Sequence, residues 1–458
     1  MKVLILGAGQ VGYSIARYLA FDENDITVVD QDADVLKRIS DKLDVQPVLG
    51  FASHPDILKQ AGVEEADLII AVTGSDEVNM IACEVAHSLF NVETKIARIR
   101  NQSYLKSAWS GLFHPQRLAI DVIISPETEV AKSLSRSTRI PGAFDVINLV
   151  QDRLKAIGVR CMASSTLINT PLRLLPTLLP NVDLAVICVN RKGAVFVPTQ
   201  ADILEAEDEV YLVTHSENIP EIMRAMGYHE TEGRRIIIVG AGNIGKTLAL
   251  EIEATQPDVK IKMIERNYER SELAARTLKN AEVLNGDALD YDVLTEANVQ
   301  NCETVIAVTH DDKVNILASL LAKRSGAQRS LTLLNNMNYA SLVTSLGVDA
   351  VINPRAITVS TILQHVRQGH LRSIHTLGDN YAEVIEAEAR ETNHIIGLSI
   401  EDITIKGTVM VAALVRGNDV HLMPERMIIS VGDSLILVAK KEAIQKIERL
   451  FSIRPSYL

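Results

Sequence analysis

Aromatic residues are scarce in this chain, 4% of 458 residues with a single tryptophan, although 47% of positions are hydrophobic. The interior must therefore be built from Leu, Ile, Val and Ala, which suits parallel strands covered on both faces by helices. Cysteine is scarcer still: Cys83, Cys161, Cys188 and Cys302 stand far apart, without CxxC spacing. That argues against a disulfide framework or a zinc site and for a reducing cytoplasm, with the thiols as apolar filler. Positive charge is in deficit, 46 Lys and Arg against 58 Asp and Glu, a net charge of −12. No nucleic-acid partner is expected, because binding one relies on a basic face. Long apolar runs are missing as well. A membrane-spanning helix needs roughly 20 apolar residues, whereas the longest runs, such as 409–415, are the size of a strand. Met1-Lys2 leads straight into an apolar strand, which leaves no room for a signal peptide, so the chain is expected in the cytosol.

What the sequence does contain is repetition. Gly7-Ala8-Gly9-Gln10-Val11-Gly12 returns as Gly240-Ala241-Gly242-Asn243-Ile244-Gly245, each time behind a short apolar strand. Such a pattern alone can be an ordinary tight turn. Between a buried strand and a helix it is a dinucleotide fingerprint, in which free N–H groups at the helix start face a pyrophosphate. Each copy also carries an acid at the end of the next strand, Asp30 and Glu265, about 20 residues past its last glycine. A carboxylate there accepts hydrogen bonds from ribose hydroxyls and repels a 2′-phosphate, which favours NAD(H) over NADP(H). Matching positions keep a nearly constant offset, from 233 at the glycines (240 − 7) to 236 at Thr73 and Thr309 (309 − 73). Whole modules are therefore duplicated.

The expected fold class is α/β: two Rossmann-like domains with doubly wound parallel sheets, over 1–125 and 232–354, each followed by a small α+β module, over 143–227 and 373–456. The small modules are signalled by paired stretches that alternate like half-buried strands, 186–198 with 411–424 and 207–213 with 431–438. Their arginines Arg191 and Arg416 fall in predicted turns rather than in a cleft. Pro126–Arg139 reads as a helix leaving the first sheet, and a second exit helix follows Asn353-Pro354. Residues 227–234 form a polar connector. Asp76–Phe90 has helical spacing of Val78, Ile81, Val85 and Leu89, and the apolar stretch 342–352 reads as core. His365, His370 and His375 recur every five residues on a helical stretch, a spacing that does not share one helix face and so predicts no metal site. Arg367, His370 and Arg372 read as a solvated helix end, with partner docking as the alternative.

On the paired GAGxxG turns, Asp30, Glu265, the Ala-Val-Thr strand ends at Thr73 and Thr309, and the two small modules, the chain resembles the TrkA family, peripheral NAD-binding subunits of bacterial Trk potassium-uptake systems built from tandem RCK (or KTN) domains. The resemblance spans nearly the whole chain. It implies a homo-oligomer, a dimer or tetramer ring, on the cytoplasmic face of an integral membrane potassium transporter whose ion flux follows nucleotide occupancy. It implies NAD(H) as ligand, with ATP and ADP as further candidates. Carried over by position, the first site comprises the turn from Gly7 to Val11, Asp30, Thr73-Gly74 and Arg98; the second comprises Gly240 to Ile244, Glu265 and Thr309-His310. The second half departs from the first where Ala97-Arg98-Ile99-Arg100 is matched by Thr332-Leu333-Leu334-Asn335, which lacks a cation. The first half departs where Gly50-Phe51 stands in place of the pair kept at Gly286-Asp287. The two sites are therefore expected to differ in affinity or ligand. Thr73 and Thr309 have an alternative role as helix caps, and Arg98 as a salt-bridge partner. A dehydrogenase is the enzyme-class rival, and a non-binding scaffold the structural one. No acid or base stands out for hydride chemistry, so gating without turnover is preferred.

Overall fold

The computed structural model describes residues 1–20, 24–114, 116–228, 234–366, 371–377 and 382–451. Arg367 and His370, together with most of the 227–234 connector, lie outside them. The chain divides into two compact units, Met1–Val130 with Asn353–Val366, and Ala131–Ile352 with Arg367–Leu458.

The first unit is built on six parallel strands, Lys2–Leu6, Asp25–Asp30, Gln46–Leu49, Leu68–Ala71, Thr94–Arg98 and Val122–Ile124, ordered 3-2-1-4-5-6. The central strands are apolar throughout, as a sheet covered on both faces requires: Leu4, Ile5, Ile69, Ile70 and Ile96 are fully buried. The helix Asp76–Phe90 keeps the expected period but buries a different face. Ala82, Cys83 and Ala86 pack inward, while Ile81 and Leu89 are exposed. Small side chains let the helix backbone approach the sheet closely, so the bulky ones turn outward. The other face of the sheet is covered partly by a helix from the far end of the chain. Val359, Ile362 and Leu363 of the exit helix Pro354–Val366 share a core with Ile15, Ala16 and Leu19.

The second unit contains the other parallel sheet, with strands Arg235–Val239, Lys260–Glu265, Glu282–Asn285, Thr304–Ala307, Arg329–Leu333 and Ala350–Ile352 in the same spatial order. Here the tail of the first exit helix docks. Buried Arg329 donates to the carbonyls of Ser137, Ile140 and Ala143, and Gln256 bonds Ser135 and Thr138. A cation among the last carbonyls of a helix satisfies groups that have no partner within it. Each Rossmann sheet is thus finished by the exit helix of the other half. The stretch 342–352 is only partly core, for Val343 and Val348 are buried while Leu342 and Leu346 are exposed at 56% and 55%.

The two small modules each form a five-stranded antiparallel sheet, and their strand orders match when one is read from the opposite edge. They share one core, in which Leu149, Ile187 and Val213 of the first meet Val384, Ala412 and Ile436 of the second. Arg191 and Arg416 end equivalent strands, Leu184–Arg191 and Val409–Arg416. Each grips a buried aspartate with two nitrogens, Asp208 at 2.9 and 2.8 Å and Asp433 at 2.8 and 2.7 Å. These arginines are structural clamps at strand ends. His375 stands on the strand Leu371–Leu377 rather than on a helix, and burial beside Arg136 lowers its pKa to about 4. Among the described residues no group of His, Cys, Asp and Glu is arranged to hold a metal ion, and no helix is long and apolar enough to cross a membrane.

Candidate functional site

The strand order reverses between the first and fourth strands of each Rossmann sheet, and ligands of open α/β sheets bind in the crevice above such a switch point. The glycine turn sits at that point. Gly7 and Gly240 both adopt φ +105°, a backbone region that side chains with a Cβ resist. A Cβ on Gly7 would lie 2.9 Å from the Thr73 nitrogen, and one on Gly12 would lie 1.9 Å from the Gly7 carbonyl oxygen. The first and last glycines of the fingerprint are thus demanded by the fold. The middle ones are different: a Cβ on Gly9 or Gly242 meets nothing within 4 Å. Those glycines open onto space beside the helix start, where no side chain caps the helices Gln10–Leu19 and Asn243–Thr255. Open N–H groups at the positive end of a helix, approachable through a glycine, form a cradle suited to a diphosphate.

Asp30 and Glu265 lie beside these turns and bind them. Asp30 accepts hydrogen bonds from the Ala8 nitrogen at 2.6 Å and the Asp32 nitrogen at 3.0 Å; Glu265 accepts from Ala241 and Asn267, both at 2.8 Å. Each carboxylate therefore fixes the turn. It keeps acceptor capacity beyond these two bonds. Glu265 is the more enclosed of the pair, 9% exposed.

Thr73 and Thr309 do not cap the following helices. Ser75 caps the first by accepting from the Val78 nitrogen, and Asp311 caps the second by accepting from Lys313 and Val314. Each threonine instead donates through its backbone nitrogen and its hydroxyl to one asparagine oxygen, Thr73 to Asn79 at 2.9 and 2.7 Å and Thr309 to Asn315 at 2.8 and 2.7 Å. The amide of the asparagine reaches on to the next strand end, to the Arg98 carbonyl at 2.8 Å or the Leu333 carbonyl at 3.0 Å. Both asparagines are fully buried. They tie together two strand ends that rim the crevice. Asp76 and Asp312 do likewise, accepting from the backbone of Arg100 and Asn101 in one half and Asn335 and Asn336 in the other.

Arg98 ends the fifth strand and donates to the Thr73 carbonyl at 3.2 Å. Burial, reinforced by Arg100, holds its guanidinium below the ordinary pKa. The acids that act on it electrostatically are not on the surface: they are the half-buried Glu127, which burial holds above the ordinary carboxyl range, and the buried Asp76. Arg100 donates to the Gly74 carbonyl at 2.8 Å, bracing the loop that Gly74 leaves exposed. In the second half the strand pairing puts Leu333, 2% exposed, where Arg98 stands in the first, and His310 is exposed. Phe51 packs against His54 with ring centroids 4.9 Å apart, whereas Asp287 accepts from the Leu289 nitrogen at 3.0 Å. The two crevices share their turn, acid and threonine, and differ in cation and rim.

The TrkA-N domain model matches residues 3–126 and again 236–354, and the TrkA-C domain model matches 384–452. The Trk system potassium uptake protein TrkA of Azorhizobium caulinodans is 42% identical over 453 residues, 99% of both chains. Among solved structures, the RCK domain of GsuK covers 98% of this chain and 94% of its own at 17% identity and TM-score 0.60. The GsuK channel bound to NAD covers 98% and 78% at 17% identity and TM-score 0.59. The relatives carry the name of a transport protein, and the chain is not an enzyme. With its N-terminal domain model matched twice and a full-length relative at this identity, the chain belongs to the TrkA family of potassium uptake proteins.

Proposed function

We propose that the chain is the nucleotide-sensing subunit of a potassium-uptake system, binding NAD(H) in the first crevice and coupling occupancy to the gating of a membrane transporter. The carrying observation is the open glycine cradle at Gly9 beside an acid that is already hydrogen-bonded to the turn. In this reading the diphosphate lies on the N–H groups of Gly9, Gln10 and Val11, and a ribose meets the free lone pairs of Asp30. Thr73-Gly74 and Arg98 flank the second nucleoside. The second site, at Gly240 to Gly245, Glu265 and Thr309-His310, takes a nucleotide with a different preference, because Leu333 offers no charge. ATP and ADP are candidates there. The TrkA-family membership supports potassium uptake as the output, and the GsuK channel, alike in fold, has been seen bound to NAD. We place the protein in the cytoplasm as a homo-oligomer on the membrane partner's inner face. Gating requires that the nucleotide bind the two conformations unequally, since equal binding shifts no population. Calorimetric titration of NADH, NAD, ATP and ADP into wild type, Asp30→Ala and Glu265→Ala tests the sites. Potassium uptake by cells carrying Asp30→Ala, with assembly intact, tests the output. Binding lost on Asp30→Ala with uptake impaired is expected; normal uptake without first-site binding would sink the reading.

A further inference from the structure

The single tryptophan of this chain, Trp109, is 59% exposed. One exposed apolar side chain needs no explanation by itself; its setting does. The chain as a whole carries a net charge of −12, yet between Glu93 and Asp121 it holds no acidic residue and five Lys and Arg, Lys95, Arg98, Arg100, Lys106 and Arg117. The fold takes up three of them. Lys95 is buried against Asp121 at 2.9 Å, and Arg98 and Arg100 donate to the carbonyls of Thr73 and Gly74. Lys106 and Arg117 are exposed, as is His114, and neither cation pairs with an acid among the described residues. The backbone gathers both around the indole. Trp109 lies on the 3-10 helix Ser107–Phe113, and its nitrogen donates to the Lys106 carbonyl at 2.8 Å. The chain then doubles back, with Leu118 donating to the Leu112 carbonyl at 3.2 Å, so that a Cβ built on Gly111 would lie 3.5 Å from Nη1 of Arg117. Tyr104, Leu105, Phe113 and Leu118 pack into the core of the first unit and anchor the loop. The nearest acids of the neighbouring helix are engaged: Glu77 accepts from Ser75 and Tyr104, and Glu84 from Ser88 and Ala119.

One indole flanked by two cations is a poor centre for a protein interface. Stable interfaces remove about 800 Å² from each partner and deplete charge at their centre, whereas an aromatic side chain offers roughly 150–250 Å². It is a good contact for the surface of a bilayer, where indole sits at the level of the headgroups and Lys or Arg beside it meets anionic phosphate. We infer that Trp109, with Lys106 and Arg117, rests on an anionic phospholipid surface, which gives the chain a lipid contact of its own in addition to its membrane partner. The inference rests on the proposed place at the inner face of a membrane and deepens it. A single chain holds on weakly, since one indole and two cations fall short of an anchor; several copies on one membrane hold on together. The contact belongs to the first half alone, because between Arg329 and Arg355 the sequence has one charged residue, Asp349, and no tryptophan.

Since Trp109 is the only tryptophan, the indole emission of the full chain reports this position and no other. It is followed, without any transporter, as the protein meets vesicles of phosphatidylcholine or of phosphatidylcholine and phosphatidylglycerol in equal parts, with co-sedimentation as a second readout. With the anionic vesicles the emission is expected to move to shorter wavelength and the protein to sediment, both reversed by salt; with the neutral vesicles neither occurs. Lys106→Gln and Arg117→Gln should each lower the partition about fivefold, and Trp109→Ala should lower sedimentation, all three with an unchanged melting temperature because the side chains are exposed. Unchanged emission without sedimentation on either vesicle overturns the inference, as does equal partition of wild type and both glutamine variants. An emission that shifts with protein concentration in the absence of lipid overturns it too, and places a second copy over Trp109. None of these outcomes touches the nucleotide site, which calorimetry tests without lipid.

Discussion

At the scale of single residues, the three glycines of one fingerprint answer to different constraints and should respond differently to one added methyl group. Gly12→Ala drives a Cβ to 1.9 Å from a backbone oxygen, so a loss of about 1–3 kcal/mol or more in thermal or denaturant unfolding is expected. Gly9→Ala meets open space and has ordinary φ; its melting temperature should stay unchanged while nucleotide affinity falls. A second contrast concerns the cysteines, all buried, with burial pushing each thiol up to about 12. Ellman's reagent at pH 8 should find no reactive thiol in the native protein and four in denaturant. Glu127 gives a signed pH dependence. Burial raises its pKa, Asp76 adds to the rise, and Arg100 and Arg98 oppose it. The folded state therefore holds this proton more tightly than the unfolded chain does, so stability measured by denaturant unfolding should fall as pH rises from the ordinary carboxyl range through that raised pKa. Glu127→Gln should flatten the profile.

At the scale of elements, the strand ends around the crevice are joined by Asn79, which accepts from Thr73 and donates to the Arg98 carbonyl. Asn79→Ala strands buried groups, so a stability loss of about 1–3 kcal/mol is expected together with weaker first-site binding. Ile362→Ala in the borrowed helix should cost about 2–5 kcal/mol, with amide exchange accelerating in the first sheet rather than the second. These elements also mark what sequence could tell. The glycine turns and the acids were legible because their geometry imposes a spacing, and the doubly wound parallel sheets followed from alternating strands and helices; the strand order within them did not. The helix Asp76–Phe90 was legible in period but not in facing, because small residues won the buried side. The partner of the exit helix was not legible at all. Periodicity identifies an apolar face; it carries no information on which distant surface covers it. Glu127 escaped for the same reason, since a glutamate in a first helical turn looks solvated until the fold encloses it.

For the whole molecule, ligand binding and folding are linked: NADH at 100 times its dissociation constant should stabilise the unit it occupies by about 2.7 kcal/mol. In a melt followed at two sites, the first sheet should respond in wild type and not in Asp30→Ala. The exchange of exit helices has a separate consequence. Val359, Ile362 and Leu363 come from the second half to finish the first sheet, and the tail of Pro126–Arg139 is held by Arg329 and Gln256 of the other half. Two polypeptides made by splitting the chain at the polar connector would each be born with an open flank and a homeless helix. Mixed, they should find one another and restore the parent; kept apart, each should pair with its own kind, as a single-module ancestor would have had to do before duplication joined the two copies into one chain.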